Sequence, residues 1–383
     1  MKVTHVLVSG SQSWGGPPQA ANLLSRGLRK AGVDSRILAL APSPEETVRF
    51  SLGVQVEVFR GAPPAKVGIP CSTTYFRALA RSMADSDIIH IHEIWHLPNL
   101  LAAICAMVTE RPYIVSPHGA LDAWSLSQRK DLKRLAWTIY QKPIFDLAAG
   151  VHVLTKSEEM DVLSRGIVTR LRVIPSGVDL HPPNECNSDG NSDLKTPDLP
   201  ARYILSLGRL DRKKGLDVLL DAAAISFRKI DDVALVVAGP DPHHLWTGLQ
   251  RRAEALGMLE RVRYLGYVTD SVKHHLLSRA LLFILPSLSE GLSLSVLEAL
   301  ACGTPVVISP GCHVPEVQAV GAGRVVPPTP SAVAASLTDL LTGPGKDERE
   351  SMGRRARTLA ESKFSLEATA AAMLSFYGEV LRT

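Results

Sequence analysis

Short apolar runs recur along the chain, each followed by a turn and then by a stretch with helical spacing. Val3–Val8 is the first such run, with a glycine-containing loop over residues 9–18 and a helical segment over Gln19–Ala31 behind it. Pro17 and Pro18 suit the entrance of that helix and Gly32 its exit, because proline fits the first helical turn and glycine the residue past the last. Runs at Ser35–Leu40, Ile88–Ile91, Tyr113–Ser116, Gly150–Leu154 and Leu171–Ile174 continue the pattern. They are continuous rather than alternating, as expected of parallel strands covered on both faces. Residues 181–200 break the pattern with a polar stretch rich in Pro, Asn, Ser and Asp, which reads as a linker. It then restarts with a strand at Tyr203–Leu207, a Gly208-Arg209 turn and a helix over Gly215–Phe227. Strands follow at Ala234–Ala238, Val262–Leu265, Leu281–Leu285 and Val306–Ser309. The expected architecture is α/β, with two doubly wound parallel-sheet domains over residues 1–180 and from 201 onward. Ligands of such sheets bind beyond the carboxyl ends of the strands, so a central cleft faced by both domains is the expected site.

Bulk properties narrow the class. A chain of 383 residues exceeds what one core commonly serves. Its 45% apolar and 21% charged residues are ordinary for a globular α/β protein. The formal net charge of +4 is uneven: residues 1–180 hold 20 Lys and Arg against 15 Asp and Glu, a net of +5. That bias is too small for nucleic-acid binding, and no zinc-finger, basic-zipper or RNA-recognition pattern accompanies it. It leaves two readings, a solvated face or contact with an anionic membrane. The five cysteines, Cys71, Cys105, Cys186, Cys302 and Cys312, are odd in number and lack CxxC spacing. Reduced thiols in a cytoplasmic protein are the expectation. The N-terminus reads as a strand rather than a signal peptide, and no apolar run approaches the length of a membrane span.

The most informative stretch runs from Leu285 to Pro305 and carries Glu290 and Glu298. Glu290 falls just before a helix that begins near Ser293, where free backbone N–H groups and the helix dipole gather anions. Glu298 lies about two turns further on, so both carboxylates can face one cleft. Ionised carboxylates only accept, and each can take hydrogen bonds from two neighbouring hydroxyls, which suits a hydroxyl-rich ligand. Backbone N–H groups from Leu292 to Leu294 suit a phosphate. Upstream, Arg209 and Lys214 sit in Gly208-Arg-Leu-Asp-Arg-Lys-Lys-Gly215, between a strand and a helix. An arginine fork and a lysine point charge at such a junction can hold a diphosphate.

These segments resemble retaining glycosyltransferases of the GT-B fold, especially family 4. Ser289, Glu290, Gly291, Leu294, Leu297, Glu298, Ala299, Ala301, Cys302, Gly303, Thr304, Pro305, Val306 and Val307 match the family's E-x7-E motif, while Leu292 and Ser293 stand where Phe and Gly are usual. The resemblance implies two Rossmann-like domains, with the acceptor at residues 1–180, the nucleotide-sugar donor at 201–364, and a last helix within 365–383 crossing back to the first domain. It implies transfer of a hexose with retention from a nucleotide-diphosphate sugar to a saccharide or lipid-linked acceptor, as in polysaccharide building. Glu298 would hold the ribose and Glu290 the sugar, while Arg209 and Lys214 stabilise the departing diphosphate, helped by Ser293 and Leu294 at the helix start. That electrostatic help replaces a metal ion, so neither a metal nor a cofactor is expected. Gly15 and Gly16 resemble the family's glycine loop beside the donor, and His118 of Pro117-His118-Gly119 resembles its residue near the reacting sugar. His92 and Glu93 fall in the acceptor-side loop. A nucleotide-sugar epimerase and a non-enzymatic sugar-nucleotide binding protein are the alternatives, and front-face against double-displacement chemistry stays open.

Three other patterns each admit a blander reading. His92-Glu93-Ile-Trp-His96 matches the H-E-x-x-H zinc-protease spacing, but that motif works on a helix and this one follows a strand. Asp85-Ser-Asp87 precedes its strand and reads as a solvated turn. Gln128–Arg134 is a basic stretch with Leu132, Leu135 and Trp137 as neighbours; it is either a solvated face or a dock for anionic lipid at the membrane periphery.

Overall fold

A computed structural model of the chain describes residues 1–10, 16–41, 54–60, 73–180, 199–343 and 345–382. Gly15 and most of the linker lie outside the described residues. The chain forms two compact units, one of residues 1–177 with 366–383, the other of residues 178–365.

The first unit holds seven parallel strands: β1 (Lys2–Leu7), β2 (Asp34–Ala41), β3 (Gln55–Arg60), β4 (Ile88–His92), β5 (Tyr113–Ser116), β6 (Gly150–Val153) and β7 (Leu171–Val173). Their order is β3-β2-β1-β4-β5-β6-β7, with Val3 opposite Ser35 on one side and Ile88 on the other. β4, β5 and β6 are buried along their whole length, which is why they appear as unbroken apolar runs. β3 was not anticipated. Its sequence Gln-Val-Glu-Val-Phe-Arg alternates, as an edge strand with one solvated face does. The helix Leu366–Leu381 packs on the helix Gly16–Lys30 and seats Met373, Phe376 and Tyr377 against Val3, Leu24, Leu28, Ile88 and Ile114. A Cβ at Gly150 would lie 2.6 Å from the Phe376 ring, so β6 can pass beneath that ring only with a glycine there.

The second unit has six parallel strands: β8 (Tyr203–Leu207), β9 (Ala234–Ala238), β10 (Val262–Tyr264), β11 (Leu282–Leu285), β12 (Val306–Ile308) and β13 (Gly323–Val325). Their order is β10-β9-β8-β11-β12-β13. Two apolar clusters cover its faces, one around Phe283, Leu297 and Leu300, the other around Leu219, Leu235 and Leu337. Phe376, 1% exposed, joins the C-terminal helix to the first unit's core. Phe376→Ala should lower stability by about 3–5 kcal/mol, read as a fall in the urea midpoint at unchanged m-value.

Candidate active site

In a doubly wound sheet the crevice opens where the strand order reverses. In the second unit that point lies between β8 and β11, and Arg209 follows one strand while Glu290 follows the other. The two loops are stitched together. Leu288 N–H donates to Lys213 O at 2.7 Å, and Ser287 Oγ lies 2.8 Å from the same carbonyl. Gly215 has φ +66, and a Cβ there would fall 2.3 Å from Pro286 O, so only glycine lets the loops meet. Gly239, at φ +138, plays the same part between β9 and β8, where a Cβ would meet Gly208 O at 2.0 Å.

This scaffold brings Lys214 Nζ to 2.8 Å from Glu290 Oε1, with Ser287 Oγ donating to the same oxygen at 2.6 Å. Glu290 is only 8% exposed. Burial alone would raise its carboxyl, but the charges of Lys214 and Lys213 and the bonds from Lys214 and Ser287 outweigh it and hold the carboxyl below its usual value. Arg209 stands 3.7 Å from Asp211 Oδ2, and Asp211 caps the turn by accepting from Lys213 N–H at 3.1 Å. Ser293 is the residue before the helix Leu294–Ala301; its hydroxyl makes no capping bond and turns to Ser295 Oγ at 3.1 Å.

Glu298 projects from that helix onto a residue the sequence reading passed over. Lys273 Nζ lies 2.6 Å from Glu298 Oε1 and 3.0 Å from Asp270 Oδ1. Burial tends to lower the Lys273 ammonium, but its two carboxylate partners win and raise it. The spacing of 25 residues between Lys273 and Glu298 carries no local signal; the pair exists because two helices meet.

In the first unit the reversal lies between β1 and β4. Three residues beyond the strand ends hold left-handed backbone without being glycine: Glu93 (φ 71), Trp95 (φ 76) and His118 (φ 53). Such conformations cost about 1–3 kcal/mol each and gather at functional sites. Glu93 N–H donates to Ser116 O at 2.8 Å, which ties the loops after β4 and β5 together. His92 differs from the expectation that it faces an acceptor. It ends β4, is 1% exposed, and both ring nitrogens are taken, Nε2 by His5 Nδ1 and Nδ1 by His118 Nε2, each at 2.9 Å. The strand also keeps His92 and His96 off any common helix face, as a zinc-protease site would require. Gly16 opens its helix, and a Cβ there would meet nothing within 4 Å; no packing in the described residues calls for glycine at this position.

Glu158 is a second residue missed from the sequence. It stands in the first turn of the helix Lys156–Ser164, capped by Thr155, and its carboxylate accepts from Gly119 N–H at 2.5 Å and Leu154 N–H at 2.7 Å. It thereby anchors the His118-Gly119 loop from inside. Only the Thr-x-x-Glu capping spacing hinted at it, and that spacing does not reveal that the carboxylate reaches a different loop.

Two parallel sheets whose polar residues gather at the carboxyl strand ends define a GT-B fold. Anabaena HepE, solved in complex with UDP and glucose, shares it at TM-score 0.77 and 19% identity, over 99% of each chain. Residues 194–359 match the family described as Glycosyl transferases group 1, and residues 15–177 match the Glycosyl transferase 4-like domain. The chain thus carries a glycosyl transferase 4-like domain followed by a group 1 glycosyl transferase domain. Among curated relatives, the D-inositol 3-phosphate glycosyltransferase of Salinispora tropica is 35% identical over 246 residues, 59% of this chain and 50% of the relative. The phosphatidyl-myo-inositol mannosyltransferase of Mycobacterium leprae is 31% identical over 230 residues, 59% of this chain and 55% of the relative. The chain thus spans about half the length of these relatives.

Burial pushes the Glu158 carboxyl from 4.5 up to about 7, against the pull of its Leu154 and Gly119 bonds. The folded state therefore holds this proton more tightly than the unfolded chain, and stability from this group falls as pH rises from 4.5 to about 7. Glu158→Gln removes that slope. The stability of wild type relative to the variant should drop on that rise by an amount on the order of 3 kcal/mol, then level off, as read by thermal melts across pH.

Proposed function

We propose that the chain transfers a hexose from a nucleotide-diphosphate sugar to a saccharide or lipid-linked acceptor, with retention at the anomeric carbon and without a metal ion. The observation that carries this reading is the buried Lys214–Glu290 pair at the β8/β11 reversal, with Arg209 on the adjoining loop. A diphosphate leaving group needs fixed positive charge where its own charge develops, and Arg209 and Lys214 offer a fork and a point charge there. In this reading Glu290 accepts from sugar hydroxyls, Glu298 holds the ribose, the amides around Ser293 and Leu294 meet phosphate, and Gly16 lies beside the donor. His118 serves the reacting sugar, and Glu93 remains the acceptor-side candidate. The UDP and glucose of HepE and the inositol phosphate and phosphatidylinositol named for the curated relatives support a nucleotide sugar and a phosphorylated or lipid-borne acceptor.

A lipid-borne acceptor fits one surface of the first unit. On the helix Lys130–Ala136 and the π-helical turn after it, Leu132, Leu135 and Ile139 are each about 60% exposed. Arg129, Lys130, Lys133 and Arg134 interleave with them. Exposed aliphatic residues among cations fit an anionic bilayer face; no helix among the described residues is long and apolar enough to cross a membrane.

A thermal-shift panel of UDP-, GDP- and ADP-sugars should single out one base. With that donor, Glu298→Ala should raise KM about tenfold or more, while Arg209→Ala should lower kcat by about 10²-fold or more at little change in KM. Full activity in both variants would remove the site assignment, and loss of activity in EDTA would remove the metal-free mechanism. Separately, the protein should co-sediment with vesicles containing anionic phosphatidylglycerol and not with phosphatidylcholine alone, and the double change Leu132→Ser, Leu135→Ser should weaken that binding.

A further inference from the structure

Beneath the carboxyl ends of β1, β4, β5 and β6, the first unit buries His5, His90, His92 and His152, and they form two hydrogen-bonded lines. One runs from Tyr377 OH to His90 Nδ1, from His90 Nε2 to Ser116 Oγ, and from Ser116 Oγ to His152 Nδ1, each at 2.7 Å, then from His152 Nε2 to Ile174 O at 2.8 Å. A carbonyl only accepts, so His152 carries its proton on Nε2 and its Nδ1 accepts. Ser116 must then spend its single proton on His152 and accept from His90 Nε2–H. His90 Nδ1 in turn accepts from Tyr377. One backbone carbonyl sets the direction of every proton in this line.

The second line runs from His5 Nδ1 to His92 Nε2 and from His92 Nδ1 to His118 Nε2, both at 2.9 Å. The two lines touch where the His90 and His92 rings stack at 4.2 Å. Burial and the neighbouring imidazoles hold His5 and His118 at about 3 and His92 well below its ordinary value, so all three rings are neutral at pH 7. A neutral line can point only two ways. Pointing inward, it would end on a proton at His5 Nε2, a buried atom that has no hydrogen-bond partner among the described residues. Pointing outward, it leaves only an acceptor lone pair there. Buried N–H groups without a partner are rarer than under-used acceptors, so the outward direction wins.

We propose that His5 and His92 are positioning residues that fix the tautomer of His118, so that this ring presents Nδ1–H to the substrate as a hydrogen-bond donor. His5 donates to His92, His92 donates to His118 Nε2, and the only ring position of His118 left to carry the proton is Nδ1, which has no protein partner among the described residues. The ring is steadied by its left-handed backbone and by Glu158 on the next amide. The group such a donor serves is an oxygen with a lone pair, and its assignment to a sugar hydroxyl oxygen rests on the glycosyl-transfer reading above.

Two-dimensional ¹⁵N–¹H spectra of the histidine rings at pH 7.5 test this on the intact chain without any substrate. His118 should show a protonated, pyrrole-type Nδ1 and a bare, pyridine-type Nε2. His5→Leu removes the terminal donor and should turn His118 into a mixture of tautomers. His5→Asn, whose amide can again donate to His92 Nε2, should restore the single form. A His118 protonated on Nε2 in the wild type, or a pure Nδ1–H form that survives in His5→Leu, would overturn the proposal. Turnover of UDP-glucose and GDP-mannose checks its consequence: His5→Leu should lose about tenfold in kcat, the worth of one hydrogen bond, at unchanged KM, and His5→Asn should recover it. An undiminished kcat in His5→Leu would overturn the positioning role. Absence of turnover of any nucleotide sugar by the wild type would instead sink the glycosyl-transfer reading and leave the tautomer result in place.

Discussion

A carboxylate taken out of water stays ionised only if a cation is held beside it, and the second unit is organised around one such pair. Glu290 and Lys214 belong to loops that leave neighbouring strands, and neither could be buried without the other. Their meeting needs the bare backbone of Gly215 against Pro286 and the bond from Leu288 N–H to Lys213 O. Breaking a buried pair by removing one partner costs about 3–5 kcal/mol, so the pair is both a brace for the loops and a reserve of charge. An anionic ligand competes for Lys214, and a hydroxyl-bearing one supplies donors to Glu290, so a ligand that does both can replace the bond it breaks.

The two units solve the problem of buried polarity differently. The second places lysines against carboxylates, at Lys214–Glu290 and again at Lys273–Glu298. The first buries neutral imidazoles in lines whose protons all point one way, ended by a backbone carbonyl on one side and a histidine nitrogen on the other. Charge pairs hold a side chain ionised; a neutral line holds a particular proton in place. Glu158 stands between these solutions, a lone carboxylate satisfied by two amides and titrating about 7.

Much of the fold was legible because strands covered on both faces must be apolar throughout. β4, β5, β6, β8, β9, β11 and β12 appear as runs in the sequence for that reason. β3 was missed because an edge strand alternates, and β13 because three residues beginning with glycine carry no pattern. Arg209, Lys214 and Glu290 were found because each lies in a loop that follows a strand, and Glu298 because it stands on the helix next to Glu290 in the same local motif. Lys273, Glu158, His5 and His152 were not, since each earns its place through a partner distant in sequence.

The sequence by itself determined two parallel α/β units, the strand ends at which polar residues gather, and the residue types available there. It could do so because strand period, glycine turns and helix starts are local and are written in adjacent residues. Only the tertiary structure decided which of these residues face one another. His92 illustrates the difference: its place after a run of isoleucines put it at a strand end, yet the fold turned it inward between His5 and His118. Burial and hydrogen-bond direction depend on what neighbouring strands bring alongside, and those neighbours come from elsewhere in the chain.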